Sequence, residues 1–187
     1  MPYSANAYVL IVLLVGTTLG FLRRRHAIGG WLFYFFFATY ASLASVLFTI
    51  RSDLRALDAD NWPSTSQYHW YLVATLPVEG LYFAIVIAAT SSLMARTERR
   101  LKILRGVLLL TLIVSIICGT LIVFEPPLEI LAISNFTIAS SALIWSLYFM
   151  DSVRVKRVFV THDWREYPPV DREGTKIADL PNSGNSE

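Results

Sequence analysis

Residues 103–150 read "ILRGVLLLTLIVSIICGTLIVFEPPLEILAISNFTIASSALIWSLYFM", and this stretch decides the fold. Two long apolar runs, 103–124 and 128–150, flank the short segment "EPPLE". An α-helix rises 1.5 Å per residue, so about 20 residues cross roughly 30 Å of hydrocarbon. Each run is long enough. Pro126 and Pro127 forbid one continuous helix, because proline lacks the backbone N–H and clashes with the preceding turn. The spacing therefore predicts a transmembrane helical hairpin.

Working outward, three more runs reach or approach that length: 5–22, 29–50 and 70–94. The expected fold class is all-α, a polytopic membrane helix bundle of five spans. The composition agrees. The 187-residue chain is 55% hydrophobic with 16% charged residues, where a soluble domain carries about 25%. Its mean hydropathy is +0.51.

The charges are sorted by loop. "RRRH" follows the first run, "RTERRLKILR" joins the third to the fourth, and "SVRVKR" follows the fifth. Together they hold eleven of the sixteen Lys and Arg residues. The loop at 51–69 carries only Arg51 and Arg55 of the basic residues, beside Asp53, Asp58 and Asp60. The positive-inside rule then sets the N-terminus outside (periplasmic) and the C-terminus in the cytoplasm. Five crossings put the ends on opposite sides, as the charges require. Residues 1–8 contain no Lys or Arg, and Arg23–Arg25 follow the first run, so it is expected to be retained as a span. The 51–69 loop is expected to hold a short amphipathic helix and a Trp62-Pro63 turn. The polar tail from 161, rich in Pro, Gly and Asn, is expected to be cytoplasmic and disordered.

One carboxylate falls inside a span. Glu79 lies about nine residues from the outer end of the third run, roughly 13 Å deep. An ionisable group there costs about 2.5–3.5 kcal/mol on insertion scales, so it must be protonated, paired or facing a wet cavity. Asn135, Ser115, Thr120, Ser42 and Ser45 fall near the same depth on other runs. The spacing thus predicts an intramembrane polar cluster of Glu79, Asn135, Ser115, Thr120 and Ser42. It serves either as packing glue, the preferred reading, or as a proton or ligand site. Pro77 removes one backbone donor and is expected to kink the third span, baring a carbonyl for Glu79 to use. Gly16 and Gly20 form a GxxxG pattern that permits close helix approach, to span two, another protein or a second copy. Cys118, the single cysteine, excludes an internal disulfide and reads as a small packing residue. His26, His69 and His162 lie in three separate regions, so no metal site is expected. No HExxH, phosphate loop or GxSxG occurs, so no catalytic residues and no cofactor are assigned. The basic clusters are explained by topology rather than by nucleic acid, with anionic headgroup contact near Arg154, Lys156 and Arg157 as an addition.

Two stretches carry a family resemblance. "IGGWL" at 28–32 and "IWSLYFMDSVRVKRVFV" at 144–160 resemble the opening and closing signatures of a bacterial inner-membrane family, domain of unknown function 2569. The matching residues are Gly29, Gly30, Trp31, Trp145, Tyr148, Phe149, Ser152, Arg154, Val155, Lys156, Phe159 and Val160. The chain departs from the family pattern at Ser146 and Leu147, at Val153 and at Val158. The resemblance covers about 26–160. It implies a four-helix membrane domain with a glutamate placed like Glu79, preceded here by an extra helix at 1–25 and followed by the tail at 161–187.

Three functions compete. The sequence favours a non-enzymatic accessory or interaction protein, in contact with the lipid bilayer and with a membrane partner or a second copy. The alternative is a small oligomeric transporter or proton-linked permease using Glu79. Last comes a lipid-acting enzyme built on Arg51, Asp53, Arg55, Asp58, Asp60 and His69.

Overall fold

A computed structural model describes residues 3–125 and 128–162. Among them every regular element is helical. The helices are α1 (Tyr3–Leu22), α2 (Gly30–Ala56), α3 (Thr65–Ala95), α4 (Glu98–Ile122), α5 (Glu129–Asp151) and the short α6 (Val153–Lys156). A 3-10 turn, Ala59–Asn61, precedes α3, and a π-helical turn, Arg157–Thr161, follows α6. Helices α3, α4 and α5 are each long and apolar enough to cross a membrane. The apolar parts of α1 and α2 among the described residues, Ile11–Leu22 and Gly30–Ala44, are shorter.

The hairpin forms where expected. Helix α4 stops at Ile122 and α5 starts at Glu129, with the Leu128 amide donating to Glu125 O at 2.7 Å across the turn. The loop after α2 differs from expectation. No separate amphipathic helix forms; instead α2 runs on through Arg51, Asp53 and Arg55 to Ala56. Nothing in that stretch breaks a helix until Asp58, whose carboxylate accepts from the Asp60 amide and starts the 3-10 turn. The Ser64 hydroxyl then accepts from the Gln67 amide and opens α3. The expected tail falls almost wholly at 163–187, outside the described residues.

Helices α4 and α5 pack along a heptad-like seam. The buried positions are Leu101, Leu104, Leu108, Thr111, Ser115, Cys118 and Ile122 on one helix, with Gly119 beside Cys118, and Ala132, Asn135, Ala139, Ala142, Ser146 and Phe149 on the other. Alternating steps of three and four keep one face toward the partner. Most of these side chains are small, which brings the backbones close. Gly119 is a point of close approach: a Cβ there would sit 3.2 Å from the Phe136 ring and 3.3 Å from Asn135 Cβ.

Helix α3 joins this pair through Ala74, Val78, Ala88, Ala89 and Ser92. It runs through Pro77 without ending. Proline at 77 has no N–H for the carbonyl four residues back, Val73. That carbonyl is met from α4, where the Cys118 thiol donates to Val73 O at 3.6 Å. Next to it, Asn135 Nδ2 of α5 donates to Ala74 O at 3.4 Å. In hydrocarbon a freed backbone carbonyl needs an internal partner, and the neighbouring helices supply donors at this level.

Two core clusters lie at opposite ends of the bundle. One gathers Ala74, Val78, Cys118, Ile122, Leu128 and Ala132 near the α4–α5 turn. The larger one joins Leu32, Phe35 and Phe36 of α2 to Leu101, Leu104, Phe149, Val155 and Phe159 at the basic end.

The Pro77–Cys118 relation is measurable by a double-mutant cycle. Cys118→Ala should lower stability, and the loss should shrink when Pro77→Ala restores an amide to Val73 O. The coupling should be about 0.5–1 kcal/mol in an unfolding titration, in the range of interhelical bonds in membranes. Additive losses would contradict the pairing.

Candidate functional site

Helix α2 stands apart from the tight α3–α4–α5 unit, because it presents bulky rings where the others present small residues. Phe35 meets Trp145 at 4.9 Å and Phe149 at 4.8 Å between ring centroids, while Tyr34 stacks on Trp145 at 6.0 Å. Toward the other end the described residues leave space between α2 and the rest. A cavity of about 390 Å3 lies there, walled by Val46 and Leu54 of α2, Glu79 and Tyr82 of α3, Thr111 of α4 and Ile138 of α5. A second cavity of about 220 Å3 continues toward Trp145 and includes Ser42, Thr39 and Ser141. Tyr82, Ile85, Thr111 and Ile138 line both. Hydroxyl–carbonyl bonds bracket the first cavity. The Tyr82 hydroxyl donates to Thr39 O at 3.1 Å, and the Tyr68 hydroxyl donates to Leu57 O at 2.9 Å.

The residues expected to share one polar layer occupy different faces. Val78 is buried in the three-helix unit, and Glu79, rotated about 100° onward, is exposed on the cavity wall. Asn135 and Ser115 are buried inside the α4–α5 seam. Asn135 serves Ala74 O, and the Ser115 hydroxyl has no hydrogen-bond partner among the described residues. Thr120 is exposed and bonds its own helix at Ile116 O, 2.8 Å away. Ser42 is exposed in the second cavity. Glu79 and Ser42 thus belong to two adjoining cavities, while Asn135 and Ser115 pair with backbone and packing. The carbonyls at the Pro77 turn are taken by Cys118 and Asn135. The Cys118 role was not visible in the sequence, where a lone apolar-run cysteine looks like filler; its offset from Pro77 across two helices is a tertiary fact.

The GxxxG face of α1 lies against α2. A Cβ on Gly16 would meet the Tyr34 and Phe37 rings at 2.8 Å, and one on Gly20 would sit 2.9 Å from Gly30 O.

The signature stretches, far apart in sequence, meet at the basic end. Gly30 has φ +58°, a left-handed conformation open to glycine, and a Cβ there would lie 3.3 Å from Arg154 Nη1. Gly29 is tighter still: a Cβ would fall 1.8 Å from Arg23 O. Arg154 Nη2 donates to Arg24 O at 2.8 Å, tying the α1–α2 loop to α6. Burial pushes the Arg154 guanidinium below the ordinary arginine range, opposed by the nearby Tyr148 hydroxyl. The Ser152 hydroxyl caps α6 by accepting from the Val155 amide at 3.4 Å. Val155, Val158 and Phe159 are buried, whereas Lys156 and Trp31 are exposed. The segment after α5 is therefore a folded-back part of the core. The sequence signal for it was the i, i+3, i+4 spacing of those three apolar residues, masked by the interleaved Arg and Lys. Across the same end, Arg105 donates through Nη2 to Phe149 O. The exposed Glu98 carboxyl is held below the usual range by its hydrogen bond to Lys102 and then by that residue's charge.

No three His, Cys, Asp or Glu side chains converge among the described residues.

These features define an all-helical protein with membrane-type apolar helices and a conformationally demanding Gly-Gly–Arg lock at one end. The model of a protein family of unknown function, DUF2569, matches residues 25–160, and the chain belongs to that family. No curated protein and no solved structure matches it.

The lock makes an ordered expectation. Gly30→Ala should destabilise by roughly 1–2 kcal/mol, the cost of a left-handed non-glycine residue. Gly29→Ala should cost more, because Arg23 O must move. Thermal unfolding in mild detergent checks the order, and equal Tm values for wild type and Gly29→Ala would refute it.

Proposed function

We propose that this chain is a non-enzymatic accessory protein of the bacterial inner membrane, crossing it five times, which engages a membrane partner at the cavity beside Glu79. The observation that carries this reading is a carboxylate on the wall of a mainly apolar cavity between helices. An ionisable side chain within a membrane helix marks a point of functional contact, and polar side chains between membrane helices hold segments together.

Five crossings are supported by the length of α3, α4 and α5 and by the apolar character of α1 and α2. A periplasmic N-terminus and a cytoplasmic C-terminus are supported by the basic residues gathered at one end. There Arg154 reaches Arg24 O, and the Ser92 hydroxyl reaches Arg100 O at 3.1 Å. Inner-membrane residence is supported by the signature stretches. A second reading, a small oligomeric transporter or proton-linked permease, is favoured by one observation: the two cavities share four lining residues and so run together along α2.

A photo-crosslinking residue replacing Phe83, on the cavity wall, should give a discrete protein adduct in native membranes. The adduct should be lost in a Glu79→Gln chain, and the same reagent at lipid-facing Ile144 should give none. Identical patterns at both sites would overturn the reading. Solute or proton flux in proteoliposomes that Glu79→Gln abolishes would move the assignment to the permease.

The orientation has its own check in a Cys118→Ser chain. A membrane-impermeant maleimide should label Arg55→Cys from outside intact cells and Lys156→Cys only after permeabilisation. The opposite pattern would invert the topology.

A further inference from the structure

A cavity of about 530 Å3 at the basic end is separate from the Glu79 space. Its polar lining is cationic or neutral: Arg23 and His26 come from the α1–α2 loop and Arg96 from the end of α3. Its apolar lining comes mainly from Phe33, Phe36 and Phe37 of α2 and Leu93 of α3, and among the described residues no acidic side chain lines it. Charge at the mouth and rings below are the two halves of a phospholipid: an anionic headgroup and the start of an acyl chain.

Two local features hold the cations in place. The Arg23 guanidinium lies over the Phe33 ring, 5.3 Å from its centroid. Its carbonyl is fixed by the close approach of Gly29, and the next carbonyl, Arg24 O, is held by Arg154. Arg96 caps α3 with φ +46° and ψ +40°, its amide donating to Ser92 O at 2.9 Å. That left-handed cap is a position where glycine is the ordinary choice, and arginine accepts backbone strain there. The strain aims a guanidinium from α3 into a space whose other guanidinium, that of Arg23, comes from the α1–α2 loop.

We infer that this cavity is a binding site for one anionic phospholipid of the surrounding bilayer, its phosphate held by Arg23, His26 and Arg96 and its chain laid along Phe33, Phe37 and Leu93. Basic pockets between membrane helices bind acidic headgroups by this combination. The site goes beyond the partner cavity at Glu79 and does not depend on it.

The experiment uses the full chain in nanodiscs of phosphatidylcholine and phosphatidylglycerol with identical acyl chains, released for native mass spectrometry. Wild type should retain one phosphatidylglycerol in preference to phosphatidylcholine. Arg96→Gly suits the left-handed cap, so it should fold with an unchanged or raised Tm while retention falls about fivefold. Arg23→Gln should lower retention similarly. Arg99→Ala, an exposed basic residue of the same end outside the cavity, should leave it unchanged. Equal retention of the two lipids by wild type would overturn the site. So would a loss with Arg99→Ala as large as with Arg96→Gly, which would reduce the effect to general surface charge.

Discussion

Small side chains set how closely α3, α4 and α5 approach, and the rest of the molecule follows from that approach. Lipid tails are as apolar as leucine, so membrane helices gain little from burying apolar surface against each other and associate through close packing and hydrogen bonds. Gly119, Ala132, Ala139, Ala142 and Ser146 make the close packing possible. Phe35, Phe36 and Tyr34 deny it to α2, whose rings instead meet α5 at one end, Tyr34 stacked on Trp145 and Phe35 edge-on to Phe149. A bulky helix whose rings meet α5 at the basic end, and which Tyr82 and Tyr68 tie to α3 further along, leaves space between these contacts, and the Glu79 cavity is that space.

Pro77 and Glu79 sit two residues apart and face different problems. Proline frees a carbonyl on the face turned into the three-helix unit, and Cys118 meets it there. Glu79 points to the α2 side, where the packing is open. The polar residues of this level thus divide into a structural set, Cys118 and Asn135, and a cavity set, Glu79 with Tyr82 and Ser42 nearby. The division gives the carboxylate a location that does not interrupt the seam.

Much of this fold could be read from the chain, because hydropathy and helix length are one-dimensional. The α4–α5 hairpin, with its break between Ile122 and Glu129, and the apolar spans within α3 to α5 came from counting residues. An expected depth for Glu79, Asn135 and Ser115 was legible in the same way. Direction around the helix was not. It changes by about 100° per residue, so Val78 and Glu79 part company although their depths differ by only 1.5 Å. The Gly16/Gly20 face could be recognised, but its partner, α2, depends on how the α1–α2 loop folds around Gly29 and Gly30. Likewise "SVRVKR" read as a charged exit, because its charges outweighed the buried spacing of Val155, Val158 and Phe159. The signature residues carried more structural information than their chemistry implied: Gly29 and Gly30 are required by backbone space, and Arg154 fills it.

The central claim is that α2 touches α5 at the basic end and stands off from it at the level of Glu79. Cysteine pairs in a Cys118→Ser chain test this directly, one at Tyr34 and Trp145 and one at Val46 and Ile138, treated with bifunctional thiol reagents of graded length. The account expects the shortest reagent to join the first pair and only longer ones to join the second. Closure of both pairs by the shortest reagent would mean that α2 packs along its whole length and that no cavity borders Glu79.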